Sequence, residues 1–133
     1  MIKLVTTRPK EKALLAGAFK NGDSAESMAE LEALAVSAGA IVVAQVSQRR
    51  AAPDAAYFIG RGKAEEIKSK AAVASANVII FDDELTGAQV ANLQELVGVR
   101  TIDRTDLILD IFAQRAKTRE AKTQVEQIGR AHV

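Results

Sequence analysis

The sequence predicts an α/β fold: an open, mostly parallel four-stranded sheet with helices on both faces and a C-terminal helix that projects from it. Three observations carry this. Short, unbroken, β-branched runs recur, the clearest being Val78-Ile79-Ile80-Phe81, and such runs suit strands buried on both faces. Stretches of helical periodicity separate them, bounded by cap residues. Strand and helix alternate along the chain, and right-handed crossovers between parallel strands then put helices on both faces of one sheet.

Taken in order, Ile2, Leu4 and Val5 suggest a short strand that Pro9 would end. Ala13–Phe19 is a buried-strand candidate, followed by an Asn21-Gly22-Asp23 turn signal. Asp23 and Glu26 have the spacing of an N-cap and its capping-box partner. Met28, Leu31, Leu34, Ala35 and Ala38 follow at helical spacing, and Gly39 stands where a C-terminal cap belongs, so a helix is expected over about 24–38. Ile41–Val46 reads as the next strand. Ser47–Ala56 is basic and contains Pro53, and reads as an exposed loop, with a short extended piece at Tyr57-Phe58-Ile59.

Gly60-Arg61-Gly62 breaks that piece, and Lys63–Ala76 is expected to be helical, with Ile67, Ala71 and Ala74 inward. After strand 78–81, Thr86 and Gln89 form a second cap pair, Val90, Leu93 and Leu96 line a buried face, and Gly98 closes the helix. Val99–Ile102 is the last strand. The final helix is expected to begin near Asp106 and to pack through Leu107, Ile108, Ile111 and Phe112. Beyond Phe112, Arg115, Lys117, Arg119 and Lys122 dominate, so the helix is expected to leave the core. The division this implies is an α/β domain over 1–104 and the start of a helical segment over 105–133.

Composition narrows the function. At 133 residues, one domain is the prior, and 48% hydrophobic residues suffice for a core. Eighteen basic against seventeen acidic residues give a net charge of +1, which argues against a dedicated nucleic-acid-binding domain with a strongly basic surface, DNA included, but permits a local basic patch. Cysteine is absent, which fits a reducing, cytoplasmic setting and removes thiolate chemistry. The lone histidine, His132, nearly removes histidine-dependent catalysis. No apolar run approaches the ~20 residues of a membrane helix, so no membrane partner is expected.

Three motifs have both a functional and a structural reading. Gly60-Arg61-Gly62-Lys63 opens a helix, where backbone amides attract phosphate and Lys63 adds charge. A P-loop would need glycine at Tyr57 and a hydroxyl at Ala64, and glycine permissiveness at a tight turn and N-cap accounts for the pattern without a ligand. Asp82-Asp83-Glu84 could hold Mg²⁺, but acids ahead of a helix also answer its dipole, and no metal is expected. Arg115, Arg119 and Lys122 share a helix face at i, i+4 and i+7, and with Lys117 could contact RNA phosphates or simply face water. No nucleophile–base pair stands out, so residue chemistry points to a binding or regulatory module.

Three stretches, YFIGRGKAEEI (57–67), VIIFDDELTGAQVANLQELVGVRTIDRT (78–105) and DLILDIFAQRAKTREAKTQVE (106–126), together make the chain similar to one family. It resembles the N-terminal domain of the HflX-type, ribosome-associated GTPases over roughly residues 12–126. The resemblance implies an α/β domain leading through a helical segment to a GTPase domain that uses GTP and Mg²⁺. It implies a protein that binds the large ribosomal subunit and its RNA, promotes subunit separation under stress, and has ATP binding associated with its N-terminal region. Gly60, Arg61, Gly62 and Lys63 then become nucleotide-site candidates, and Arg115, Lys117, Arg119 and Lys122 ribosomal RNA candidates, or contacts to the chain's own downstream GTPase domain. Gln127–Val133 departs from the family pattern and suggests a truncated or artificial terminus. No G-x4-G-K-S/T, no aspartate with glycine three residues later and no Asn-Lys-x-Asp occurs, so this chain is expected not to hydrolyse GTP. The alternative is an autonomous ATP-binding module; a structural spacer is a third reading.

Overall fold

The computed structural model describes residues 10–20, 24–50 and 52–131, with side chains as far as Lys117. The expected strand at Ile2–Val5 and the Asp23 cap lie outside the described residues. Four strands alternate with four helices: β1 (Lys12–Phe19), α1 (Ser24–Ser37), β2 (Ile41–Arg49), α2 (Arg61–Ala74), β3 (Val78–Phe81), α3 (Gly87–Val97), β4 (Arg100–Asp103) and α4 (Arg104–Ala131). The sheet order is β2-β1-β3-β4 and every pairing is parallel.

Period-2 alternation along the two central strands builds two half-cores. Leu14 and Ala16 of β1, with Ile79 and Phe81 of β3, face Ala64, Ile67, Ala71, Leu93 and Val97 of α2 and α3. Ala13, Leu15, Val78 and Ile80 face the other way, against Met28, Leu31 and Ala35 of α1 and Leu107 and Ile111 of α4. Both central strands are buried on both faces, which is why each reads as a continuous apolar run.

The helix ends follow local chemistry. Thr86 and Gln89 form the full capping box: Thr86 Oγ1 accepts from the Gln89 amide at 3.1 Å, and Gln89 Oε1 accepts from the Thr86 amide at 2.9 Å. Gly98 ends α3 at φ 84° and Gly39 follows α1 at φ 93°, the left-handed region that glycine enters without steric cost. Gln89, beside Leu93 and Val97, is buried in α3, while Val90 and Leu96 are half-buried.

The structure corrects four expectations. β2 runs three residues past Val46, so Ser47–Arg49 are strand rather than loop; their pairing with Gly17–Phe19 overrides a polar sequence. Tyr57-Phe58-Ile59 is not extended: Phe58 has φ 68°, closing a turn in which Asp54 and Phe58 exchange backbone hydrogen bonds of 2.8 and 3.0 Å. The α2 helix begins two residues before Lys63 and ends at Ala74, where Ser75 caps it in the left-handed conformation. Phe112 does not pack inward; it is 61% exposed, about 100° round α4 from the buried Ile111.

The long helix α4 has 28 residues, hence is about 42 Å from end to end. Ile111 is its last buried residue among those described, and Phe112 to Lys117 are all exposed, so the helix leaves the core after two turns. Among the described residues no helix is long and apolar enough to cross a membrane.

Candidate functional site

All four strands end on one edge of the sheet, and each is followed by a helix that starts there. The chain steps from β1 to β2 on one side and then crosses back to β3 on the other. The carboxyl ends of β1 and β3 therefore flank the topological switch point, the usual ligand position in open α/β sheets. Asp82 and Asp83 leave β3 at that point.

The acids here have protein partners. Asp82 is buried, and its Oδ1 accepts from the Arg104 guanidinium at 3.0 Å. The Ser27 hydroxyl of α1 donates to Asp82 Oδ2. Arg104 reaches on to Glu30 Oε2, also at 3.0 Å. Beside this, Asp103 Oδ2 accepts from the Leu85 amide at 3.0 Å while its Oδ1 accepts from the Asp106 amide at 2.9 Å, and Asp106 Oδ2 receives the Asp103 amide at 3.4 Å. The FDDEL and IDRTD segments thus form one clamp that fixes the root of α4 to β3 and α1. Among the described residues, no group of three or more acids, histidines or cysteines is arranged to hold a metal. Asp82 serves as the counterion of Arg104, and Glu84 is exposed.

Asp83 is half-buried, and its Oδ2 lies 3.4 Å from the Ala18 amide. Burial raises its carboxyl above the ordinary range, outweighing the Ala18 hydrogen bond; the nearby Asp82 charge raises it further and Arg104 opposes. An acid with a raised folded-state pKa holds its proton to higher pH when folded than when unfolded. Stability contributed by the protonated form is therefore lost as pH rises through the range above the usual carboxylate value. Asp83→Asn is expected to raise the melting temperature at pH 7 and to bring no gain near pH 3. Parallel melts of both proteins across this range check it; an equal effect at both pH values would remove the burial explanation.

The Gly60–Lys63 turn lies beside the end of β2. Gly60 is the N-cap of α2, as expected, with its amide donating to Gln48 Oε1 at 2.9 Å. Its φ of −62° is open to any residue, so left-handed permissiveness is not the reason for glycine. A Cβ there would meet the tip of Arg50 at 2.8 Å, a flexible group able to move. At Gly62 a Cβ would meet nothing within 4 Å. The fold does not demand glycine at 62, which is exposed in the first turn of α2. Lys63 Nζ lies 3.2 Å from Glu66 Oε1, drawn along α2 by a carboxylate that also holds Lys70 at 3.1 Å. Those two ammonium groups, Lys70 foremost, hold the Glu66 carboxyl below its ordinary range. Arg61 makes only an exposed contact of 3.7 Å to Glu65.

Sequence reasoning placed a loop before this turn but missed the bonds that shape it. Asp54 Oδ1 accepts from the Ala56 and Tyr57 amides at 2.8 and 3.0 Å, and these bonds, Tyr57's first, lower its pKa. Gln89 Nε2 donates to the Asp54 carbonyl at 2.8 Å and Asn92 Nδ2 to the Ala56 carbonyl at 3.1 Å, tying the loop onto α3. Phe58 meets Phe81 edge to face with ring centres 6.3 Å apart. The Pro53-Asp54 pair was the available signal, since aspartate commonly bonds its own backbone two residues on. Arg49 and Arg50 complete the basic rim at this corner, with Arg50 Nε bonded to the Ala52 carbonyl at 2.9 Å.

The predicted basic residues of α4 lie on the stretch that has left the core. Arg115 and Lys117 are exposed; the side chains of Arg119 and Lys122 lie outside the described residues. The structure does not bring this stretch together with the Gly60–Lys63 turn: α4 packs with α1 on one face of the sheet, and α2 with α3 on the other.

The family model described as the GTP-binding GTPase N-terminal domain matches residues 25–113. A GTPase HflX of Caldanaerobacter subterraneus subsp. tengcongensis is 44% identical over 119 residues, covering 90% of this chain and 28% of that protein. A GTPase HflX of Escherichia coli is 46% identical over 108 residues, covering 81% and 25% respectively. The chain thus spans roughly a quarter to a third of its curated relatives' length. Among solved structures, SsGBP in complex with GDP superposes with a TM-score of 0.65 at 25% identity, covering 87% of this chain and 33% of that one. A GTP-binding protein of Sulfolobus solfataricus with GDP, at 23% identity and a TM-score of 0.59 over 77% of this chain and 30% of that one, shares the fold.

Proposed function

The chain belongs to the HflX GTPases as their N-terminal domain, and from that premise we propose that it is a docking and regulatory domain for the large ribosomal subunit. In this reading it works in the cytoplasm, binds ribosomal RNA and supports subunit separation under stress. It also modulates a downstream GTPase domain that carries GTP and Mg²⁺, and does no hydrolysis itself. The observation that supports it best is the pairing of a rigidly clamped root with an exposed basic stretch on α4. A helix fixed at Asp82, Asp103 and Glu30 and carrying Arg115 and Lys117 in solvent can hold cations at a defined position relative to the sheet. Phosphate contacts of this kind position a protein on RNA and weaken as salt displaces them.

The test is co-sedimentation of the chain with large-subunit and whole ribosomal particles. Pelleting is expected at low salt, declining as salt rises and reduced by charge reversal at Arg115, Arg119 and Lys122. Absence of pelleting at low salt removes this reading, and binding untouched by the reversal moves the contact away from α4. A second reading, an ATP-binding module, is favoured by the exposed first turn of α2 at Arg61 and Gly62, where helix-start amides attract phosphate. Occupancy by ATP at 100 times its Kd would add about 2.7 kcal/mol of stability. A melting temperature unmoved by millimolar ATP with Mg²⁺ rejects it for this chain.

A further inference from the structure

Among the described residues, β2 forms one outer edge of the sheet. The outer strand β2 is nine residues long, more than twice the length of β4 at the opposite edge. Natural edge strands are commonly guarded by lysine, proline or a bulge. Here the first eight residues of β2, Ile41–Gln48, contain neither charge nor proline. The single irregularity lies at their start, where the register jumps from Ala13↔Val42 to Leu14↔Ala44 and Val43 is extra. From Ala44 to Arg49 the strand is regular. The Arg50 amide points inward, to the Phe19 carbonyl at 2.9 Å. Alternation then turns the amides and carbonyls of Gln45, Ser47 and Arg49 outward, where no described strand meets them.

A groove follows this edge between β2 and α1. Its volume is about 470 Å³, and its walls are small or polar: Ser24, Ala25 and Ala29 on the helix, Ser47 on the strand. Met28 supplies an apolar floor. Glu32 projects into it, held by Gln45 Nε2 at 2.8 Å, and among the described residues it has no basic partner within 4 Å. The helix α1 carries Glu26, Glu30 and Glu32 and no lysine or arginine; of these Glu32 lines the groove, while Glu30 is held by Arg104.

We propose that this edge binds an extended, basic peptide, which adds a strand to β2 along Ala44–Gln48 and sets a lysine or arginine against Glu32. Main-chain hydrogen bonds to the outward groups of Gln45 and Ser47 supply affinity, and every second side chain of the peptide enters the groove. Charge selects the occupant. Nucleic acid would bring phosphates against the unpaired charge of Glu32. A second copy paired two-fold through β2 would set one acidic α1 beside the other. A basic segment is attracted where both of these are repelled.

The experiment uses the 133-residue chain, isotopically labelled, titrated with three eight-residue probes: alternating Lys-Val, alternating Glu-Val, and the Lys-Val peptide interrupted by proline. Binding of the Lys-Val probe alone is expected, with amide shifts confined to Ala44–Arg49 and the adjoining face of α1, and slowed hydrogen exchange at Gln45 and Ser47. Glu32→Lys, at an exposed position that leaves the fold intact, is expected to weaken it roughly fivefold or more. Ser47→Pro, which removes an outward donor, should abolish it, and the melting temperature of each variant reports whether it has folded. Equal binding of the Glu-Val probe, shifts centred on α2 or α4, or full binding by Glu32→Lys would overturn the proposal. So would protection of the same amides by a concentration-dependent dimer or by an RNA oligomer.

Discussion

Phe81→Ala is expected to lower the free energy of unfolding by about 4 kcal/mol, the largest single effect in this domain. Phe81 has no solvent exposure and closes β3 just before the acids of the switch point. Its ring packs in the half-core beneath α2 and α3 and takes the edge of Phe58. Truncation opens a cavity there and removes the ring contact of Phe58, whose positive φ is then held by its backbone hydrogen bonds with Asp54 alone. The 50–60 loop should loosen along with the fold, visible as faster hydrogen exchange at the Phe58 and Tyr57 amides. Since a domain of this size has about 5–15 kcal/mol in hand, the variant should fold but melt early. Urea unfolding gives the number. Phe81→Leu, which keeps most of the volume, should lose only about 1 kcal/mol. A loss below about 1.5 kcal/mol for the alanine variant would mean that the site collapses around the gap.

Arg104→Ala is expected to cost about 3 kcal/mol, near the low end for breaking a buried ion pair. The substitution leaves the Asp82 carboxylate, only 6% exposed, with the Ser27 hydroxyl as its remaining side-chain partner. Asp82→Ala should cost less, because the 31%-exposed guanidinium keeps Glu30 and can turn to water. Glu30→Ala should cost less than about 1 kcal/mol, as exposed pairs do. This ranking is the test, and Asp82→Asn combined with Arg104→Met should recover much of the loss, since no unpaired charge then remains buried. A Glu30→Ala variant as damaged as Arg104→Ala would show that the clamp depends on the exposed arm rather than the buried one. In the functional reading above, the same variant should also reduce ribosome pelleting, because the basic stretch of α4 loses its fixed bearing.

Local chemistry that acts over a few residues was legible without coordinates. The runs at Ala13–Phe19 and Val78–Phe81 named the buried strands because both of their faces must be apolar. The Thr86/Gln89 pair and the glycines at 39 and 98 marked helix ends because a side-chain oxygen or a left-handed backbone is required there. Ser47–Arg49 was not legible: these polar residues are strand because β1 extends beside them. Nor was the turn at Phe58, which Asp54 closes and which the Phe81 ring of β3 meets from across the core.

For function, the sequence alone determined the family pattern, the alternating α/β order, the absence of GTPase motifs, and a basic stretch after Phe112. Only the tertiary structure decided that Asp82, the first acid after β3, anchors α4 through Arg104. It likewise decided that Lys63 leans along α2, that a Cβ at Gly62 would meet nothing within 4 Å, and that β2 is an outer strand among the described residues. The physical reason is range. Capping and periodicity are settled within a few residues, whereas the partner of a charge is set by whichever distant segment the crossovers bring beside it, as with Asp82 and Arg104, 22 residues apart.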